Sequence, residues 1–168
     1  LERLNEIIAY GTGAVEIKSG YGLTLESELK MLHVIRRLAD SHPLTIKATF
    51  LGAHAFPPEF KQNPDGYVDL LIREMIPEVA RQGLAEYIDV FCESNYFSVE
   101  QTRKILEAGL HHGLKPKTHV NQFNSIGGVQ ASIEYGALSV DHLEVLRDED
   151  VDALMKSDTI PVALPGCS

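Results

Sequence analysis

The chain has 168 residues, 44% hydrophobic and 23% charged, with 15 Lys and Arg against 24 Asp and Glu for a formal charge of -9. That suits one folded domain, and the acidic balance argues against the basic face that a nucleic-acid partner needs. No run reaches the roughly 20 apolar residues that span a bilayer, no signal-peptide pattern is present, and Cys92 and Cys167 make no disulfide framework, so a reducing, cytoplasmic setting is expected.

In chain order, Ala14 to Lys18 alternates, with Val15 and Ile17 on one face and Glu16 and Lys18 on the other, which predicts a strand. Leu25, Leu29, Leu32, Ile35 and Ala39 recur at helical steps behind Thr24 as N-cap. Leu44 to Leu51 is the second strand, introduced by Pro43. A turn-rich loop runs from Phe56-Pro57-Pro58 to Asn63-Pro64-Asp65-Gly66. Val68, Leu71, Met75 and Val79 give the next helix, in which Pro77 predicts a kink or break. Tyr87 to Cys92 is the third strand. Ser98-Val99-Glu100-Gln101 reads as a capping box opening a helix that ends near Gly113. The fourth strand is Lys117 to Val120 after Pro116, followed by a helix over about 126–135. The fifth is Leu138 to Leu143, then a helix over about 148–155, and the sixth is Ile160 to Leu164.

Strands alternating with helices predict βα units and a parallel sheet. An open doubly wound sheet and a closed (β/α)8 barrel compete. Gly11-Thr12-Gly13 precedes a strand, so it is not a dinucleotide fingerprint, and no strand leads into a phosphate-cradling glycine loop. Polar residues collect instead at the strand ends, as in barrel enzymes. The expected class is therefore a partial TIM (β/α)8 barrel of the metal-dependent hydrolase type. It has roughly six of eight units, because a full barrel takes about 250 residues. Residues 1–168 are expected to form a single incomplete catalytic barrel domain, and both ends read as cut through a larger design.

Three of the five polar strand ends carry a histidine: His54, His119 and His142. Imidazole is the commonest metal ligand and also moves protons near neutral pH. Taken alone, His119 is as readily a hydrogen-bonded core histidine, His54 a loop residue and Tyr21 a surface turn tyrosine. His33, His42, His111 and His112 fall on helices or after them and are expected in solvent. Glu93 and Glu144, just past strand ends, fit an acid, a base, a supporting group or a helix cap. The two cysteines read as buried or incidental thiols.

Five segments and one histidine recur here in a familiar order. They are Glu16-Ile17-Lys18-Ser19-Gly20-Tyr21-Gly22-Leu23, Thr49-Phe50-Leu51-Gly52-Ala53-His54-Ala55-Phe56-Pro57, Asp89-Val90-Phe91-Cys92-Glu93, His119, Val140-Asp141-His142-Leu143-Glu144 and Leu164-Pro165-Gly166. In that order, and with fitting gaps, they resemble the imidazolonepropionase family of the amidohydrolase superfamily. The resemblance implies a (β/α)8 barrel with one zinc or iron ion. It implies hydrolysis of the cyclic amide 4-imidazolone-5-propanoate to N-formimidoyl-L-glutamate by a metal-activated water. It places the metal-binding histidine at His119, substrate-holding residues at Tyr21 and His54, and the histidine that polarises the carbonyl or moves protons at His142. Gln122 stands where an acidic residue often occurs. As a neutral amide it is expected to hydrogen-bond the substrate ring or the metal water, with His142 taking over proton transfer.

The family's His-x-His pair and a carboxylate-binding arginine would precede Leu1, and its last-strand aspartate would follow Ser168. This segment alone is thus expected to hold the ion poorly and to be inactive. The expected partners are a small-molecule substrate and a second copy in a homodimer, with no nucleic acid and no membrane. The rival readings are another ring-acting amidohydrolase, such as a deaminase, and a catalytically inert barrel fragment that only binds a ligand or partner.

Overall fold

The computed structural model describes residues 1–164 and Gly166, so Pro165 of the last matching segment and Cys167 lie outside the described residues. The elements run α1 Glu2–Ala9, β1 Ala14–Lys18, α2 Leu25–Ser41, β2 Thr45–Ala53, a 3-10 turn Pro58–Phe60, α3 Pro64–Leu70, a π turn Leu71–Met75, α4 Ile76–Arg81, β3 Tyr87–Cys92, α5 Val99–His111, β4 Lys115–Val120, α6 Gly128–Glu134, β5 Ser139–His142, α7 Asp148–Met155 and β6 Ile160–Ala163. α1 is the one helix that the sequence pattern did not announce.

All five strand pairings are parallel, and the order is β1-β2-β3-β4-β5-β6. Each strand lies beside its sequence neighbour. A doubly wound sheet would reverse that order at a switch point. A sequential order with right-handed crossovers puts every helix on the same face. The sheet is therefore singly wound, a segment of a TIM barrel, with one face under helices and the other forming the barrel interior.

Strand alternation sorts the side chains accordingly. Phe50, Ile88 and Val90 face the helices and pack with Leu32, Tyr67, Leu71, Met75, Ile105 and Leu106 in the main core. Cys92, Val120, Val129 and Val140 form a smaller core further along. The opposite parity is polar: Glu16 and Lys18, Thr49, Asp89, Lys117 and His119, Ser139 and Asp141.

Local signals account for the helices. Thr24 Oγ1 accepts from Ser27 N at 3.3 Å and caps α2. Ser98 and Gln101 close the predicted capping box on α5. Pro77 lacks an N–H and its ring crowds the carbonyl four residues back. The chain absorbs this in a π turn, where Ile76 N–H reaches Leu71 O, and the helical path continues without a break. Among the described residues, no helix is long and apolar enough to cross a membrane.

Candidate active site at the strand ends

Four of the five residues singled out from the sequence meet at the carboxyl ends of the strands. The Tyr21 and His54 rings lie edge to face, 5.0 Å between centroids. His54 is 6.2 Å from Phe91, which is 6.4 Å from His119 and 6.5 Å from His142. His119 and His142 are 5.2 Å apart. Tyr21 stands 79% exposed at the outer end of this row, while His142 is buried at the inner end.

Two of these histidines reach the rim by breaking the strand pattern. Along β2, Phe50 faces the helices, so plain alternation would send His54 there too. The register shifts between Phe50 and Ala53: Phe50 pairs with Ile88, but Ala53 pairs with Val90. This bulge adds a residue, puts Ala53 on the helix side and swings His54 to the parity of Phe91. Gly52 permits it, because a Cβ there would lie 2.4 Å from Phe50 Cζ. His142 follows Val140 and would also point outward. Its φ of 89° and that of Leu143, 67°, are left-handed values that turn the ring back toward His119. Such backbone is strained for residues other than glycine and recurs at functional sites.

His119 needs no such device, since Lys117 and His119 share the interior parity of β4. Its Nδ1–H donates to the Asp89 carboxylate at 3.0 Å, and among the described residues Nε2 is left free. Burial works against protonating this ring, but Asp89 outweighs it and the pKa rises. Burial likewise opposes ionisation of Asp89, yet His119 and Lys18 hold its carboxyl far below the usual range. Lys18 Nζ lies 2.7 Å from Asp89, 3.4 Å from Asp141 and 2.8 Å from Glu16. Glu16 also takes bonds from Thr49 and Lys117, and Ser139 Oγ donates to Asp141 at 3.0 Å. A lattice of alternating charges thus fills the barrel interior beneath the row of rings.

Asp89, His119 and Asp141 bring donor atoms within 4.8 Å of one another, a geometry able to hold a metal ion. Sequence reasoning did not select the two aspartates. The signal was available: in a sheet buried on both faces, charged residues at alternate strand positions must line the interior.

The fifth residue, Gln122, is half-buried on the loop after β4. Among the described residues no hydrogen bond holds its amide, and it is not in the row of rings. The loop itself is fixed. Glu93, buried, accepts from Phe123 N at 2.8 Å and from Asn124 N and Nδ2 at 3.1 Å each. Asp150 accepts from Asn121 Nδ2 at 2.9 Å and Ser125 Oγ at 2.8 Å. Glu93 is therefore an anchor for the loop after β4, a role the sequence did not suggest. Glu144 takes the His142 Nδ1–H at 3.3 Å. His33, His111 and His112 are in solvent as expected, whereas His42 is half-buried, bonded to Asn5 and to Leu44 N. Cys92 is buried among the apolar residues behind β3.

No protein-family model matches the chain. Curated proteins do. It is 63% identical to an imidazolonepropionase of Flavobacterium johnsoniae over 99% of this chain and 40% of that protein. It is 61% identical to one of Christiangramia forsetii, over 99% and 41%, and 51% identical to one of Geobacillus kaustophilus, over 98% and 39%. The chain therefore spans about 40% of the length of the curated relatives it matches. Among solved structures it resembles Aspergillus niger ochratoxinase with a TM-score of 0.58 at 18% identity, over 90% of this chain and 40% of that one. It also resembles the carboxyl transferase domain of Rhizobium etli pyruvate carboxylase with a TM-score of 0.62 at 15% identity, over 92% and 27%. At such identities the structural likeness concerns the fold alone.

Proposed function

We propose that this chain, whose sequence matches imidazolonepropionases over 99% of its length, supplies part of the catalytic barrel of a cytoplasmic hydrolase of histidine breakdown. The reaction is the opening of 4-imidazolone-5-propanoate by water to give N-formimidoyl-L-glutamate. The observation that carries this reading is the free Nε2 of His119, fixed by Asp89 and set beside His142 in a row that ends at His54 and Tyr21.

The free imidazole nitrogen of His119 fits a zinc or iron ion as one of its ligands. A carboxylate behind the far nitrogen is the usual support of a metal-bound histidine. Asp89 already serves His119 and Lys18, so His119 is the ligand and Asp89 its support. The ion, when bound, would bring the pKa of water toward neutrality.

The chain's own groups do the rest. His142, with Nδ1–H on Glu144, keeps Nε2 available to hold or move a proton at the ring carbonyl. His54 has its Nδ1–H on Gly20 O, 3.0 Å away, so its Nε2 can accept from a ring N–H of the substrate. Tyr21 closes over the outer side, and Phe91 gives the ring an apolar wall between the histidines. Gln122 cannot take a proton as a carboxylate does. It hydrogen-bonds the ring or the water, and proton transfer falls to His142.

The test is turnover by the whole protein. The absorbance of 4-imidazolone-5-propanoate should disappear as N-formimidoyl-L-glutamate forms, while guanine and cytosine release no ammonia. Ammonia from either base without ring opening would instead make the protein a deaminase. Loss of none of the three would favour a barrel that only binds.

A further inference from the structure

Glu28 is fully buried, has no cationic partner among the described residues, and plays no part in the chemistry above. It sits in the first turn of α2, where the helix dipole favours a negative charge. Its carboxylate does not cap its own helix. It reaches back to the loop between β1 and α2 and accepts from three backbone amides: Gly20 N at 2.9 and 3.2 Å, Gly22 N at 2.8 Å and Leu23 N at 2.9 Å. Those amides flank Tyr21 on both sides.

The loop can take this shape because of its glycines. Gly20 has φ 111°, and a Cβ there would lie 2.6 Å from Leu51 O. A Cβ on Gly22 would lie 2.6 Å from Ser27 Cβ. Leu23 is held at φ 56°, a left-handed value costly for a leucine. The clasp also reaches His54, because Gly20, whose N–H is held by Glu28, presents its carbonyl to His54 Nδ1–H. One carboxylate thereby fixes the backbone under Tyr21 and the acceptor that sets the His54 ring.

We propose that Glu28 is a positioning residue for the substrate: through the amides of Gly20, Gly22 and Leu23 it holds Tyr21 and His54 in the pose that receives the ring. This rests on the reading of Tyr21 and His54 as substrate-holding groups. Removing the charge leaves three donors facing an amide that can satisfy them only in part, and hydrogen bonds to charged groups are the stronger kind.

The test uses the whole protein in a double-mutant cycle. Glu28→Gln should raise KM for 4-imidazolone-5-propanoate by about tenfold or more, with kcat changed far less and metal content unchanged. In a Tyr21→Ala background the same substitution should raise KM by a clearly smaller factor, because one of the two residues it positions is gone and only His54 remains. If Glu28→Gln does not fold, Glu28→Asp, which keeps the charge but shortens the reach, replaces it in the cycle. An unchanged KM, or the same fold-increase in both backgrounds, would overturn the proposal and leave Glu28 a purely structural anchor. Amide hydrogen exchange separates this from failure of the functional reading. If the protein does not turn over the imidazolone at all, faster exchange at Gly20, Gly22 and Leu23 in Glu28→Gln still supports the clasp, and unchanged exchange overturns it.

Discussion

At the scale of single residues, the site depends on which nitrogen of each histidine is already engaged. Asp89 takes Nδ1–H of His119, so the free Nε2 is a consequence of a neighbouring strand and not of His119 alone. Asp89→Asn in the whole protein should lower metal affinity by about tenfold or more, measured by competition with a chelator; unchanged affinity would remove Asp89 from its supporting role. Gln122→Glu should keep or raise the rate, since the carboxylate restores a proton acceptor; complete loss of activity would show that the neutral amide is required. Burial pushes the Cys92 thiol up to about 11. Alkylation mapped by mass spectrometry should therefore spare Cys92 in the folded protein at pH 8 and modify it after denaturation. The histidines themselves were legible in the sequence, but their directions were not. Alternation alone sends His54 and His142 to the helix side, and only the bulge before Ala53 and the left-handed backbone at His142 bring them to the rim. Neither device has a mark in single-sequence periodicity, although Gly52 is a hint of the first.

At the scale of elements, the pattern spoke clearly where local chemistry decides. The β1 and β3 bounds, the Thr24 cap and the capping box of α5 follow from alternation and hydroxyl placement. The kink or break expected at Pro77 takes the form of a π turn because Leu71, Met75, Ile76 and Val79 are all buried and packing keeps the helical path. The missed helix α1 buries only Leu4, so tertiary contact leaves little trace in its sequence. Gly109 shows how tightly an outer helix meets the sheet: a Cβ there would lie 2.6 Å from Ile88 Cγ2. Gly109→Ala should cost about 1–3 kcal/mol in chemical denaturation by forcing α5 off β3. A stability equal to the parent's would mean that this contact is slack.

At the scale of the whole molecule, the sheet is most buried at its centre and most exposed at β6, where Ile160 is 61% exposed. Strand–helix alternation made the parallel sheet readable and the polar strand ends pointed to a barrel over a doubly wound sheet, a choice the sequential strand order upholds. Buried acids also tie rim to scaffold across the molecule. Burial alone would raise Glu93, but amides from Phe123, Ser94 and Asn124 bring it below the ordinary value of a glutamate. Burial would raise Asp150 as well, and Gln130, Arg147 N, Ser125 and Asn121 bring it below the ordinary value of an aspartate. A carboxyl lowered in the fold contributes stability that is complete above its unfolded pKa and is lost as pH falls through the folded value. The thermal midpoint should thus be level near neutrality and drop as pH passes below those ordinary values. A midpoint flat down to pH 3 would contradict the anchoring. The central claim, that a β4 histidine carries the ion that activates water, is tested most directly by elemental analysis of the whole protein beside its His119→Ala variant. One zinc or iron per chain in the parent and next to none in a folded variant is the expected result. Equal metal in the two would contradict it.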